Sequence, residues 1–232
     1  MSSSACAKTT RGGSLISARK SIMPSDSILV HLLHYPIRTL GPGTRVGLWL
    51  QGCHRHCNGC IAPKTWDFRE DRAVPLSQLI PSICTFWENG EKKPDGLTIS
   101  GGEPIDQYEP LCLLLSGLRA RGLCDVLLYT GYRLDEIQHH YPKILPLLTA
   151  IVDSPFEQDN PSSAVWRGSH NQNLFVLDPS YEERYQKWRG KDKRTLQLIQ
   201  GEDREYHLIG IPHQEDVPML LDKLCHHSQT GR

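Results

Sequence analysis

Long apolar runs are missing from this chain of 232 residues. None approaches the roughly 18–20 residues that cross a bilayer as a helix, and no segment near Met1 has the apolar centre of a secretory leader. Neither a membrane partner nor secretion is expected, and the chain reads as cytoplasmic. Net charge is missing as well: Lys plus Arg and Asp plus Glu number 26 each, for a formal net charge of +0. Without a basic field to hold a phosphate backbone, nucleic acid is not an expected partner. Acid is absent from the beginning of the chain, where Asp26 is the first carboxylate. Residues 1–27, rich in Ser, Lys, Arg and Gly with almost no apolar periodicity, read as a disordered tail. A basic, acid-poor leader also resembles an organelle transit peptide, but the amphipathic stripe of one is lacking.

Cysteine, by contrast, is plentiful, with eight residues. In a small secreted scaffold they would pair as disulfides; here the length, the lack of a leader and the apolar surroundings of most of them point to a reducing compartment. Cys84, Cys112, Cys124 and Cys225 lie on or beside apolar stripes and are expected to act as small hydrophobes. Cys6 is expected to be an exposed thiol in the tail. The other three stand together in Gln51-Gly-Cys-His-Arg-His-Cys-Asn-Gly-Cys60, as C-x3-C-x2-C. A closed zinc site or an ordinary cubane takes four thiolate or imidazole ligands. Three in one short loop leave a metal position open, which suggests catalysis. Two non-catalytic readings stand beside it: a zinc knuckle completed by His54 or His56, and an electron-transfer module.

The length fits one main domain. Ser27–Leu33 and Val46–Leu50 read as buried strands around the turn Gly41-Pro-Gly43. Leu76, Leu79, Ile80, Ile83, Cys84 and Trp87 repeat at helical spacing despite Pro81, ending near Asn89-Gly90. Leu97–Ile99 is a short strand, and Leu111, Leu114, Leu115 and Leu118 form a helix stripe stopped by Gly122. Asp125–Tyr129, Ala150–Asp153 and Asn173–Leu177 read as strands, with a helical stretch from Leu134 to Leu148 interrupted at Pro142. Such alternation implies right-handed βαβ units and a parallel sheet covered on both faces. Gln51-Gly-Cys53, Ser100-Gly-Gly-Glu103, Thr130-Gly-Tyr132 and Asp153-Ser-Pro155 then all fall at carboxyl ends of strands, the edge where open α/β sheets and barrels bind ligands. Pro179–Arg189 carries a charged helical pattern, Thr195–Ile199 and Glu205–Ile209 read as a hairpin through Gly201-Glu-Asp203, and a last helix is expected over Asp216–His226. The pairs His139-His140 and His226-His227 are expected to face solvent, since adjacent helical residues point apart.

Taken together, the cysteine loop, Gly41-Pro-Gly-Thr-Arg45, Ser100-Gly-Gly-Glu-Pro104, Tyr129-Thr-Gly-Tyr132, Val152-Asp-Ser-Pro-Phe156 and Trp166-Arg-Gly-Ser-His-Asn-Gln172 resemble, in collinear order over about residues 29–177, the radical S-adenosylmethionine (SAM) superfamily. Within it they are most similar to the activating enzymes of anaerobic ribonucleotide reductase. The resemblance implies an α/β fold, a partial (β/α) barrel with a parallel sheet over 28–178, to which 179–232 adds a small C-terminal α+β appendage. It implies a 4Fe-4S cluster on Cys53, Cys57 and Cys60, with SAM on the fourth iron. Reductive cleavage would give a 5'-deoxyadenosyl radical that takes hydrogen from a glycine of a large reductase, or from another peptide or small substrate. The electron would come from a donor such as flavodoxin or ferredoxin.

The expected SAM contacts are Gly59, Cys60 and Ile61, then Gly101, Gly102 and Glu103 for the ammonium group, with Thr130 and Arg167. Many relatives place an aromatic beside the third cysteine where this chain has Gly59 and Ile61, so adenine is expected to pack on aliphatic groups. Arg167 is expected either to pair with Asp153 or Glu157 or to hold a carboxylate. A bulky residue at Gly102 is expected to block SAM and spare the cluster.

Overall fold

The computed structural model describes residues 26–88, 92–200, 206–213 and 216. The tail, the last helix, Cys6, Cys225, His226, His227 and the turn Gly201–Asp203 lie outside the described residues. A seven-stranded sheet, in the order β3-β1-β2-β4-β5-β6-β7, organises the fold. Its centre is β2 (Arg45–Leu50), β4 (Gly96–Gly101), β5 (Val126–Tyr129) and β6 (Ala150–Asp153), all parallel. Helices α1 (Leu76–Glu88), α2 (Tyr108–Arg119) and α3 (Leu134–His140) lie in the connections.

Both edges depart from the expected parallel sheet. β1 (Ser27–Ile37) returns antiparallel on β2 because the turn at Gly41–Gly43 is too short for a crossover, which needs a dozen or more residues. Along its outer side runs β3 (Ala73–Pro75), a three-residue strand too short to show a period in sequence. β7 (Asn173–Val176) is antiparallel to β6: residues 154–172 contain no helix to carry the chain back to the starting end. The stretch after Leu134 splits into α3 and a 3-10 turn at Pro142–Leu147, as the proline predicts. α1 runs through Pro81, whose side chain is exposed.

Side-chain alternation gives the sheet two unlike faces. Val46, Leu48, Leu50, Leu97, Ile99, Val126, Leu128 and Ile151 pack under α1 and α2, against Leu79, Ile83, Leu111, Leu114, Leu115 and Leu118. Leu127, Ala150 and Val152 face the other way, against Trp166 and Tyr185. Tyr185 belongs to α4 (Glu182–Gln186), within the stretch read as a charged helix; one turn of it is enough to insert a fully buried ring. At the amino end of the parallel strands the Arg45 guanidinium is fully buried, with nitrogens 3.0 and 3.1 Å from the two Asp125 carboxylate oxygens and Nε donating to Thr98 at 2.7 Å. Tyr185 Oη donates to the same Asp125 at 2.7 Å.

The hairpin forms as β8 (Gln197–Gln200) and β9 (Tyr206–Ile209). It lies across the sheet's second face, where Ile209 joins Ile37 and Leu40 in a small core with Trp49 and Tyr129. Of the four cysteines read as small hydrophobes, Cys84 is buried and Cys112 half-buried, whereas Cys124 is exposed beside the turn at Gly122. Among the described residues no helix is long and apolar enough to cross a membrane.

Candidate active site

The cysteine loop leaves β2 with both arms tied. Gly52 N donates to Thr65 O at 2.7 Å and Cys53 N to Trp66 O at 2.8 Å, while the Gln51 amide donates to Lys64 O and Asp67 O at 3.1 and 2.8 Å. His56 takes the left-handed conformation, φ 45°, where the loop turns between Cys53 and Cys57. Cys53 is buried, and burial pushes its thiol up against backbone amides of His56 and Arg55 that favour the thiolate. Cys57 and Cys60 are half-buried.

Neither loop imidazole is turned to a metal. His54 lies against Phe68, with Nδ1 3.0 Å from an Asp106 carboxylate oxygen, and His56 stacks on Trp66 at 4.7 Å. A zinc knuckle would need one of them beside the thiolates within bonding distance of one ion. Three thiols of one short loop, with the imidazoles occupied elsewhere, suit a 4Fe-4S cluster held at three of its four irons, one thiolate to each.

The end of β4 locks onto this loop. Gly102 N donates to Leu50 O and Glu103 N to Gly52 O, both at 2.8 Å. A Cβ on Gly102 would stand 2.1 Å from Gly52 O and 2.9 Å from Thr65 O; one on Gly101, whose φ is +109°, would stand 2.3 Å from Leu50 N. The glycines therefore let two backbones meet, which bare composition does not distinguish from room for a ligand. Just beyond, the Glu103 carboxylate is buried and accepts from Thr130 Oγ1 at 2.7 Å, Gly131 N at 2.7 Å and Ile105 N at 3.0 Å. Burial outweighs these donors and pushes its pKa up to about 7. Thr130 thus acts as the residue that orients Glu103.

These groups open on one pocket of about 290 Å³. Cys53, Cys57, Gly59, Cys60 and Ile61 line one side, and Gly101, Gly102, Glu103, Thr130 and Gly131 another. Nine of the ten expected positions are brought together; Arg167 is not. It makes no ion pair with Asp153 or Glu157, and its Nη1 donates to Gln172 O at 3.2 Å. Beside Cys60 the lining is Gly59 and Ile61, and aromatic surface enters the pocket from elsewhere, through Trp49, Trp66, Tyr129 and Phe156.

Two arginines missed in the sequence reach the pocket. Arg55, inside the cysteine loop, lies 4.0 Å over the ring of Tyr132. Its position between the cysteines was its signal. Arg194 had none, because it arrives by the chain folding back: its guanidinium donates to the carbonyls of Ser162, Arg167, Ile211 and Pro212. That tie holds Leu208–His213, the end of β9 and the stretch that follows it, as a further wall.

Comparison with known proteins adds an independent line. The 4Fe-4S single cluster domain matches residues 39–175. Over 150 residues the chain is 33% identical to the anaerobic ribonucleoside-triphosphate reductase-activating protein of Escherichia coli K12, covering 62% of this chain and 96% of that one. The protein of the same name from Haemophilus influenzae is 35% identical over 61% of this chain and 94% of its own length. A pyruvate formate-lyase-activating enzyme of Staphylococcus epidermidis is 37% identical over 36% of this chain and 34% of its own. Arg194 and the β8–β9 hairpin lie beyond the matched domain.

Proposed function

The chain belongs to the family of the anaerobic ribonucleoside-triphosphate reductase-activating proteins, built on a 4Fe-4S single cluster domain, and from that premise we propose that it is a radical SAM enzyme generating a glycyl radical on an anaerobic ribonucleotide reductase. One observation carries the reading: the thiols of Cys53, Cys57 and Cys60 and the buried Glu103 carboxylate open on the same pocket. A cluster held by those cysteines supplies, when bound, the electron that cleaves SAM and so makes hydrogen abstraction possible.

The chain's own groups prepare that chemistry. The clamp of Gly52 and Cys53 on Thr65 and Trp66 fixes the thiol loop, and the bonds of Gly102 and Glu103 to Leu50 and Gly52 set its distance from the ligand-binding strand end. Glu103, oriented by Thr130 and Gly131, accepts the ligand's ammonium group; an arriving cation favours the carboxylate form that burial alone disfavours. Gly59 and Ile61 join Phe156 and Trp66 as packing surface for the nucleoside, and Leu208–His213 exclude water.

Residues 28–178 hold this machinery as a partial barrel, which the parallel run β2-β4-β5-β6 with ligand groups at its carboxyl ends supports. Residues 179–232 are the addition to it, and their described elements, α4 and the β8–β9 hairpin, cover its second face. A flavodoxin or ferredoxin is the class of electron donor, and the cytoplasm the compartment, that this chemistry calls for. Reduced enzyme and SAM incubated anaerobically with the host's anaerobic reductase should give a glycyl radical by electron paramagnetic resonance. SAM cleavage without that radical would leave a radical SAM enzyme acting on another peptide or small substrate.

A further inference from the structure

An amino-acid head carries two charges, an ammonium and a carboxylate on one carbon, and a buried pocket must answer both. Glu103 answers the first. For the second, the described pocket offers two guanidinium groups. Both leave Nε buried without a hydrogen-bond partner, but Arg194 spends both terminal nitrogens on four carbonyls. Arg55 does not: its nearest acids stand at ion-pair range only, Glu103 Oε2 at 3.9 Å and Glu136 Oε2 at 3.8 Å. Arg167, the residue expected to take a carboxylate, is turned to Gln172.

Resting on the proposed function, we propose that Arg55 binds the carboxylate of SAM, so that Glu103 and Arg55 together read the ligand's zwitterionic head. The spacing suits it: acid and guanidinium are 3.9 Å apart, the scale that separates the two charges of an α-amino acid. Arg55 is also held on a platform, stacked on Tyr132, whose hydroxyl donates to Asp106 at 3.1 Å; the same Asp106 accepts from His54 N at 2.8 Å and so braces the loop from which Arg55 springs. The guanidinium cannot lose its charge, and its fork matches a carboxylate.

The test compares ligands that differ only in the head. Full-length protein, reconstituted anaerobically, is titrated calorimetrically with SAM and with decarboxylated SAM. Wild type should prefer SAM by about tenfold to a hundredfold, the range for a hydrogen bond to a charged group. Arg55→Met should narrow that preference by weakening SAM alone, at unchanged iron and sulfide content, leaving only the part owed to the carboxylate's contact with the cluster, and Arg55→Lys should fall between the two. Equal binding of the two ligands by wild type, or a preference that is undiminished in Arg55→Met, would overturn the assignment while leaving the radical SAM reading intact. Loss of affinity for both ligands alike in Arg55→Met would also overturn it, in favour of a role in loop shape. A reconstituted wild type that binds no SAM would sink the function itself, and this assignment with it. The first comparison needs no variant, so a misfolded substitution does not protect the proposal.

Discussion

Gly102 lies against Gly52 so closely that a Cβ would come within 2.1 Å of the Gly52 carbonyl oxygen. The strand end that carries Glu103 and the loop that carries Cys53 are therefore in backbone contact, and neither moves alone.

Gly102→Ala is expected to damage both functions. The added methyl meets backbone, which cannot swing aside as a side chain would, so the cost should be about 1–3 kcal/mol of overpacking or an equivalent shift of the Gly52–Cys53 loop. Iron and sulfide per chain after reconstitution should fall along with SAM affinity. Full cluster loading with SAM binding alone lost, the outcome expected from the sequence, would show that the loop yields without disturbing its thiols.

Glu103 predicts a pH dependence. Its folded pKa, pushed up to about 7 from an ordinary 4.5, means that the folded chain keeps a proton which the unfolded chain releases between those values. Ligand-free stability should fall as pH rises through that window, by on the order of 3 kcal/mol, and level off above about 7. Affinity for SAM should run the other way, since the ammonium needs the carboxylate: it should climb toward about pH 7 and then flatten. Calorimetric titrations across that range test it, with Glu103→Gln expected to bind weakly and without the step. A flat wild-type profile would mean that the ammonium is held elsewhere.

Much of this site was legible because its parts are local in sequence. Cys53, Cys57 and Cys60 share one loop, and Gly101–Glu103 and Thr130 each follow an apolar strand, so the rule that ligands gather at carboxyl strand ends assembles them without a structure. What escaped is non-local. β3 is too short to show a period, β7 runs antiparallel because its connection lacks a helix, and Tyr185 is one aromatic ring in a charged stretch whose burial depends on Asp125, 60 positions away. Arg194 reads as one basic residue among several, and only the return of the hairpin makes it a tie.

Asp125 is expected to be the most sensitive polar residue of the fold. It neutralises Arg45 and accepts from Tyr185, so Asp125→Ala leaves a fully buried guanidinium uncompensated, a loss of roughly 3–5 kcal/mol. Denaturant unfolding of the cluster-free protein measures it. A loss below about 1 kcal/mol would mean that water or Thr98 suffices for Arg45.

Arg194→Met tests whether the C-terminal addition belongs to the site or only decorates it. Four carbonyls lose their donor, two on the site loop (Ser162, Arg167) and two on the wall (Ile211, Pro212). Roughly 2–4 kcal/mol of local stability should go with them, since hydrogen bonds to a charged group exceed neutral ones and neighbouring bonds do not simply add. Amide exchange over Leu208–His213 should accelerate, while Cys53 and its clamp on Trp66, made by other residues, keep the cluster. If the wall contributes to the pocket, SAM affinity falls in the same variant, because the ligand must then supply the order that Arg194 provided. Leu208→Asn, at a half-buried position of the wall, should weaken SAM without speeding exchange as much. Faster exchange with unchanged affinity in Arg194→Met would place the hairpin outside the ligand's reach and leave it as cover for Ile37 and Leu40.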